Sequence, residues 1–329
     1  MVNLPSGSNK IIFAPLNWGL GHATRSIPLI NYLLSQNKEV IIASDGEALG
    51  LLREEFPQLH AVLLPGYNVK YKGSSLFSIV FRNSLNVLLA IIQEHLLLKK
   101  LIVKHNPNVV ISDSRFGFWN KKVYSVIISH QLKIPSKSKL LSSFVNTINA
   151  YLINRFSTCW IPDYENGKLS GDLSKNKKIR SKEYIGVLSR LKKEEVLPKN
   201  KVTIILSGPE PARTKLEEKL ISTFSKDQFK ITLVRGTNNL SERTFPQHWN
   251  VFNRLNASKL NTIINSSEII ISRSGYTSVM DYYLLNKKAI LIPTPGQSEQ
   301  EYLGAFLNGK FGFVTLNESD LSKLKKLIN

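Results

Sequence analysis

The sequence predicts an α/β protein of two doubly wound, parallel-sheet, Rossmann-like domains. Three observations carry this expectation. Short apolar runs rich in Val and Ile alternate with amphipathic helical stretches, which suits strands buried on both faces and joined by helical crossovers. The alternation is laid down twice, on either side of a charged segment that contains Arg190, Lys192, Lys193, Glu194 and Glu195. The 329 residues are also enough for two separate cores. The expected division is a first domain over 1–187, a linker over 188–200 and a second domain over 201–329.

Taken in order, Ile11 to Pro15 reads as the first strand, with the glycine-bearing turn Gly19-Leu20-Gly21-His22-Ala23-Thr24-Arg25 at its C-terminal end. The helix behind it carries Ile27, Ile30, Leu33 and Leu34 on one face. Strand Glu39 to Ser44, helix Glu47 to Glu55 and strand His60 to Leu64 follow, the last ending in Pro65-Gly66-Tyr67. Residues 75–104 form the longest helical segment, with Phe77, Phe81, Leu85, Leu88, Leu89, Ile92, Leu96 and Leu97 near helical spacing and Lys99, Lys100 and Lys104 at its end. So wide an apolar arc fits either a core helix or an interfacial one beside anionic headgroups.

Strand Asn108 to Ser112 runs into Asp113-Ser114-Arg115, and strand Val123 to Ser129 into His130-Gln131. An amphipathic helix from Leu140 to Arg155 and a last strand from Tyr184 to Val187 complete the first set. The second set starts with strand Val202 to Leu206, the loop Ser207-Gly208-Pro209-Glu210, and Pro211 in the first turn of a helix. Strand Ile231 to Val234, a polar loop over 235–249 and helix Ala257 to Asn265 lead to Ile269-Ile270-Ile271. There the turn Ser272-Arg273-Ser274-Gly275 opens a helix bearing Val279, Met280, Leu284 and Leu285. Strand Ala289 to Ile292 then ends at Pro293-Thr294-Pro295-Gly296, a helix begins near Ser298, and a short helix from Ser319 to Ile328 closes the chain.

The bulk numbers narrow the function classes. Hydrophobic residues make up 42% and charged residues 21%, as in a globular protein. A net charge of +20 points to an acidic partner: nucleic acid, an anionic membrane surface or phosphorylated small molecules. The basic clusters are dispersed, and neither zinc-finger spacing nor an RNA-recognition signature accompanies them, which argues against nucleic acid. One cysteine, Cys159, fits a reducing compartment. Met1 to Lys10 has no basic segment followed by an apolar run, and no stretch has transmembrane length. A cytoplasmic protein, able to sit peripherally on the inner face of the membrane, is therefore expected.

The chemistry-bearing residues fall where strands end. Helix starts at such positions offer backbone N–H groups and a positive dipole end, which favours a bound diphosphate. Arg273 and the hydroxyls of Ser272, Ser274, Thr277 and Ser278 add donors at one of them. An ordinary turn between strand and helix is the competing reading. His22, in its glycine-lined turn, can take a proton near neutral pH, or can simply cap the turn. Asp113 is the expected orienting partner of that imidazole, with a turn-capping role as its alternative. His130 is the second base candidate, while His60, His95, His105 and His248 lack supporting context. No Asp-x-Asp pair occurs, so neither a metal nor a cofactor is expected.

These motifs resemble family twenty-eight glycosyltransferases, which include the peptidoglycan lipid I N-acetylglucosaminyltransferase and the plant galactolipid synthases. The resemblance rests on Ser272-Arg273-Ser274-Gly275, Asp281 six residues beyond the turn's glycine, Pro293-Thr294-Pro295 and Gln300-Glu301-Tyr302, with GLGHATR standing for the N-terminal glycine loop. It implies a GT-B fold, two Rossmann-like domains facing across a cleft. The donor set it implies is Gly21, Ser207, Gly208, Arg273, Ser274, Gly275, Tyr276 and Thr277. Asp281 would hold the ribose, Leu255 would lie against the base, and Gln300 with Glu301 would hold the sugar. Asp281 replaces the usual Glu, and Glu301 the second amide. The function implied is metal-independent, inverting transfer of a hexose or N-acetylhexosamine from a UDP-sugar to an acceptor, lipid-linked in the cell-envelope members. A non-catalytic nucleotide-sugar-binding protein and a UDP-sugar 2-epimerase are the alternatives.

Overall fold

In the computed structural model, residues 2–67, 84–135, 138–225, 230–237 and 244–328 are described. The expected helical start with Phe77 and Phe81, residues 136 and 137, and the middle of the 235–249 loop lie outside them. The chain divides into two units, Met1–Ser189 and Arg190–Asn329.

The first unit is built on β1 (Lys10–Pro15), whose Ile11, Ile12, Phe13 and Ala14 are all fully buried. A strand with no exposed face must be covered on both sides, which dictates helical crossovers and parallel neighbours. Those neighbours are β2 (Glu39–Ser44), β3 (Ala61–Leu63), β4 (Val109–Asp113), β5 (Tyr124–Ile128), β6 (Thr158–Ile161) and β7 (Lys182–Tyr184), in the order β3-β2-β1-β4-β5-β6-β7. Every pairing is parallel. The order reverses between β1 and β4, which makes their C-terminal ends the natural place for a ligand.

Helices α1 (Gly21–Ser35) and α2 (Gly46–Glu55) follow β1 and β2. Helices α3 (Ser84–His105) and α4 (Lys139–Ile153) share one sheet face. Leu98 and Leu101 of α3 pack with Ile12 and Val110, and Ala150 and Ile153 of α4 pack with Ile127. Val110 pairs with Ser125, which puts Ile127, two residues on, on the same face as Val110. The outer sides of both helices remain in solvent: Leu88, Leu89, Ile92 and Leu96 on α3, and Leu140, Phe144, Ile148 and Tyr151 on α4. No described helix is long and apolar enough to cross a membrane.

The second unit repeats the plan with β8 (Asn200–Ile205), β9 (Ile231–Val234), β10 (Asn250–Phe252), β11 (Ser267–Ser272), β12 (Lys288–Leu291) and β13 (Phe313–Thr315), ordered β10-β9-β8-β11-β12-β13 and all parallel. Its helices are α5 (Ala212–Phe224), α6 (Ala257–Asn265), α7 (Tyr276–Leu284), α8 (Ser298–Leu307) and α9 (Leu324–Ile328). Val202, Ile204, Leu216, Leu220, Phe224 and Ile271 are among its core residues.

Several boundaries differ from the sequence expectation. The last strand of the first unit is Lys182–Tyr184 rather than Tyr184–Val187. Strands β6, β10 and β13 are too short to stand out by periodicity alone. Part of the segment read as linker is fastened to α6. The Lys192 N–H donates to Asn261 Oδ1 at 2.9 Å, the Glu194 N–H donates to Asn265 Oδ1 at 3.1 Å, and Asn265 Nδ2 donates to Lys192 O at 2.9 Å. Among the described residues, four strands form the sheet edges: β3, β7, β10 and β13. Each is only three residues long.

Candidate active site

In the first unit, the β1–β4 register places Pro15 beside Asp113, and Leu16 N–H donates to Asp113 O at 2.9 Å. The turn after β1 is thereby pinned next to the end of β4. It passes through Gly19 at φ +74°, a left-handed conformation that glycine adopts without a Cβ penalty. Gly21 is the first residue of α1, and His22 the second.

His22 Nδ1 lies 2.9 Å from Asp113 Oδ1, the pairing expected from sequence. Asp113 is fully buried, whereas the His22 side chain keeps 20% of its surface in solvent. Sequence reasoning missed the third member, Arg25. It follows His22 by three residues on the same helix, a spacing that puts both side chains on one face. Its Nε donates to Asp113 Oδ2 at 2.6 Å, its Nη2 bonds Asp113 Oδ1, and Nη2 also lies 2.9 Å from His22 Nδ1. His130 Nδ1 stands 3.4 Å from Arg25 Nη1, so both base candidates touch one guanidinium. His130 is buried, and His22 is the more accessible of the two. Burial alone would raise the Asp113 pKa, but the charges and hydrogen bonds of Arg25 and His22 outweigh it and hold the carboxyl far below the usual carboxylate range. Asp113 is therefore an anion at any physiological pH.

A second buried cluster fixes the neighbouring loops. Arg115 donates to Pro15 O at 3.0 Å, Pro65 O at 3.2 Å and Glu94 Oε1 at 2.6 Å, and it pairs with Asp45. Tyr67 Oη donates to Glu94 Oε2 at 3.0 Å. The ends of β1, β2, β3 and β4 and helix α3 are tied together through one side chain. Burial pushes the Glu94 pKa up despite Arg115. Of the other histidines, the His60 and His105 rings lie 5.3 Å apart, and the His95 ring lies tilted 4.8 Å from that of Trp119.

In the second unit, the C-terminal sheet edge gathers the other expected residues. Ser207 and Gly208 follow β8 and are exposed, with Gly208 at φ +100°. The Glu210 side chain is about half exposed and is paired within its own turn. Arg213 Nε donates to its Oε1 at 2.6 Å and Thr214 N–H to its Oε2 at 3.2 Å, so the carboxylate folds back over the start of α5. Leu255 is half-buried just beyond β10. That loop is held by Arg235, which donates from Nη1 to Asn253 Oδ1 at 2.9 Å and from Nε to Glu217.

Gly275 caps α7 with extended backbone, and Thr277 and Asp281 are half-buried along it. Ser274 Oγ donates to Gln300 O at 2.8 Å. Gln300 Oε1 accepts from Thr294 N–H at 2.9 Å, and Glu301 Oε1 accepts from Gly296 N–H at 2.8 Å. Both side chains therefore brace the Pro293–Gly296 loop.

Arg273 and Tyr276, both expected at the donor, are buried. Tyr276, the first residue of α7, is 3% exposed and belongs to the core. Arg273 is 2% exposed and spends its guanidinium internally. It donates to Glu318 Oε2 at 2.7 Å, Ala212 O at 3.0 Å, Pro293 O at 3.3 Å and Ile292 O at 3.4 Å, so it does not project toward a ligand. Among the described residues, no group of three or more His, Cys, Asp or Glu is arranged to hold a metal ion.

Two parallel α/β units of seven and six strands define the class: this is the GT-B fold. The structure resembles the glycotransferase of kitacinnamycin, with a TM-score of 0.68 and 14% identity over 97% of this chain and 89% of that one. It also resembles spinosyn rhamnosyltransferase SpnG complexed with thymidine diphosphate (TM-score 0.67, 10% identity, 97% and 91%). Arabidopsis thaliana UGT89C1 complexed with UDP-L-rhamnose is a third (TM-score 0.65, 11%, 98% and 90%). Within that class, residues 210–329 match the Glycosyltransferase family 28 C-terminal domain. A curated relative is 25% identical over 130 residues, the UDP-N-acetylglucosamine--N-acetylmuramyl-(pentapeptide) pyrophosphoryl-undecaprenol N-acetylglucosamine transferase of Prochlorococcus marinus subsp. pastoris. That match covers 38% of this chain and about a third, 36%, of the relative.

Proposed function

We propose that this chain is a glycosyltransferase that moves a hexose or N-acetylhexosamine from a UDP-sugar to an acceptor hydroxyl, by single displacement with inversion and without metal. The observation that carries the reading is the His22–Asp113–Arg25 group: a solvent-reaching imidazole held by a fully buried carboxylate at the end of a central strand. His22 takes the proton of the acceptor hydroxyl as its oxygen attacks C1 of the donor sugar. The bond from C1 to the diphosphate oxygen breaks, and UDP leaves with the electron pair. The positive end of α7 and the backbone around Ser274 and Gly275 stabilise the anion. Asp281 holds the ribose, Leu255 lies against the base, and Gln300 and Glu301 select the sugar.

The acceptor in this reading is lipid-linked and met at an anionic bilayer from the cytoplasmic side. The support is the solvent-facing apolar surface of α3 and α4, with Lys99, Lys100 and Lys104 exposed at one end. No nucleic acid is a partner.

The test is calorimetric titration with UDP-, GDP- and dTDP-sugars, followed by assay of donor hydrolysis and transfer. Tightest binding of a UDP-sugar with release of UDP supports the reading. Binding without turnover makes this a nucleotide-sugar-binding protein, free epimer makes it an epimerase, and no binding to any of the panel sinks the assignment.

A further inference from the structure

The buried Arg273 has a consequence for the donor site that rests on the function proposed above. Its guanidinium sits where four chain segments converge: the end of β11, from which it springs, the start of α5 at Ala212, the end of β12 at Ile292 and Pro293, and the loop after β13 at Glu318. Glu318, 8% exposed, binds Arg273 through Oε2 and Lys219 of α5 through Oε1 at 2.8 Å. Burial alone would raise the Glu318 pKa, and the bonds from Lys219 and Arg273 overcome it and lower it. The loop that Arg273 grips is the one whose Thr294 N–H is held by Gln300, and Gln300 O in turn receives Ser274 Oγ. A closed path therefore runs from Glu318 through Arg273, Pro293, Thr294 and Gln300 back to Ser274, the residue beside Arg273.

We propose that Arg273 and Glu318 are a pair of positioning residues that set the spacing of the α7 start and the Pro293–Gln300 loop for the donor, and that neither touches it. No sequence motif marks Glu318. Its role emerges only because the guanidinium, which the motif suggests should meet phosphate, is buried and bonded from within the unit through both Nη1 and Nη2. A direct-ligand role and a positioning role differ in the sign of one measurement. If Arg273 met the diphosphate, removing the negative charge of Glu318 would release the guanidinium and tighten UDP binding. If the pair acts by positioning, the same change loosens the loop and weakens binding.

The experiment is titration calorimetry of UDP against the full chain and the variants Glu318→Gln, Arg273→Lys and the double variant, each confirmed folded at the titration temperature by circular dichroism. The expected result is a roughly tenfold weaker UDP Kd for each single variant. The double variant is expected to be no weaker than the poorer single, because both changes break one path. Lys219→Met, which removes the exposed end of the path, is expected to weaken UDP less, about twofold. A purely structural pair lowers the melting temperature and leaves the UDP Kd of the folded protein unchanged, which overturns the proposal. Tighter binding by Glu318→Gln, or additive losses in the double variant, overturns it in favour of a direct ligand. A wild-type chain that binds no nucleoside diphosphate overturns the donor-site reading itself, and this proposal with it.

Discussion

Replacing Asp113 with Asn keeps the shape of the side chain and removes its charge. The buried Arg25, 2% exposed, then loses its counter-ion, and the amide can accept through only one of the two positions that now receive Arg25 Nε and Nη2. Breaking a buried pair from one side costs about 3–5 kcal/mol, because the orphaned charge stays desolvated. Asn retains one acceptor, so the lower end, about 3 kcal/mol, is expected. In a unit spanning Met1–Ser189 that lowers the melting temperature by about 6–12 °C. Urea unfolding at several pH values, followed by the far-ultraviolet circular dichroism of the chain, measures the difference.

The sign follows from the depressed folded pKa of Asp113. Its stabilisation is fully present above the unfolded value near ~4 and is lost as pH falls through the folded value. The gap between wild type and Asp113→Asn should be flat above about pH 5 and shrink by ~1.4 kcal/mol per unit below about pH 4. Adding Arg25→Met to Asp113→Asn should recover stability, since no unpaired charge then remains. A loss under about 1 kcal/mol at neutral pH, or a gap that ignores pH down to about 3, would refute the buried-pair argument.

His22→Ala should lower turnover about 10²- to 10⁴-fold while leaving UDP affinity within about twofold, read by transfer assay and calorimetry; lost UDP binding would make His22 structural. Gly117→Ala should destabilise the first unit by about 1–3 kcal/mol in urea melts, because the added Cβ would lie 2.2 Å from Ile91 O and 2.8 Å from Glu94 Cβ. Cys159, fully buried with its thiol pushed up to about 12 by burial, should resist Ellman's reagent at pH 8 until the chain is unfolded. Leu88→Ser with Phe144→Ser should weaken cosedimentation with phosphatidylglycerol vesicles by about tenfold and leave the melting temperature unchanged, since both side chains are more than half exposed.

Much of this architecture is written in local chemistry. The runs at Ile11, Val109, Val202 and Ile269 are apolar because both faces of their strands are covered, and this is visible without coordinates. The His22–Asp113 pair is legible for a related reason: Asp113 ends β4, His22 opens the helix that follows β1, and such ends converge in a parallel sheet. Arg25 was legible in principle, three residues along the helix, but a basic residue in a charged chain draws no notice until its carboxylate is known. Arg273 shows the opposite failure. The motif gives its place and not its direction, and Glu318, distant in sequence, holds the side chain inside together with the carbonyls of Ala212, Ile292 and Pro293. Strands of three residues, such as β10 and β13, carry too few side chains to show a period.

The brevity of the four outermost strands bears on how this protein behaves at high concentration. A sheet rim is a template for another chain's backbone, and its danger grows with the number of consecutive unpaired amides it displays. Here each rim offers a run of three residues, and an incoming peptide could form too few bonds there to offset its own ordering. Together with mutual repulsion at +20, this should keep the protein monodisperse despite two wide parallel sheets. Lengthening any rim by a few β-branched residues would be the quickest way to make it aggregate.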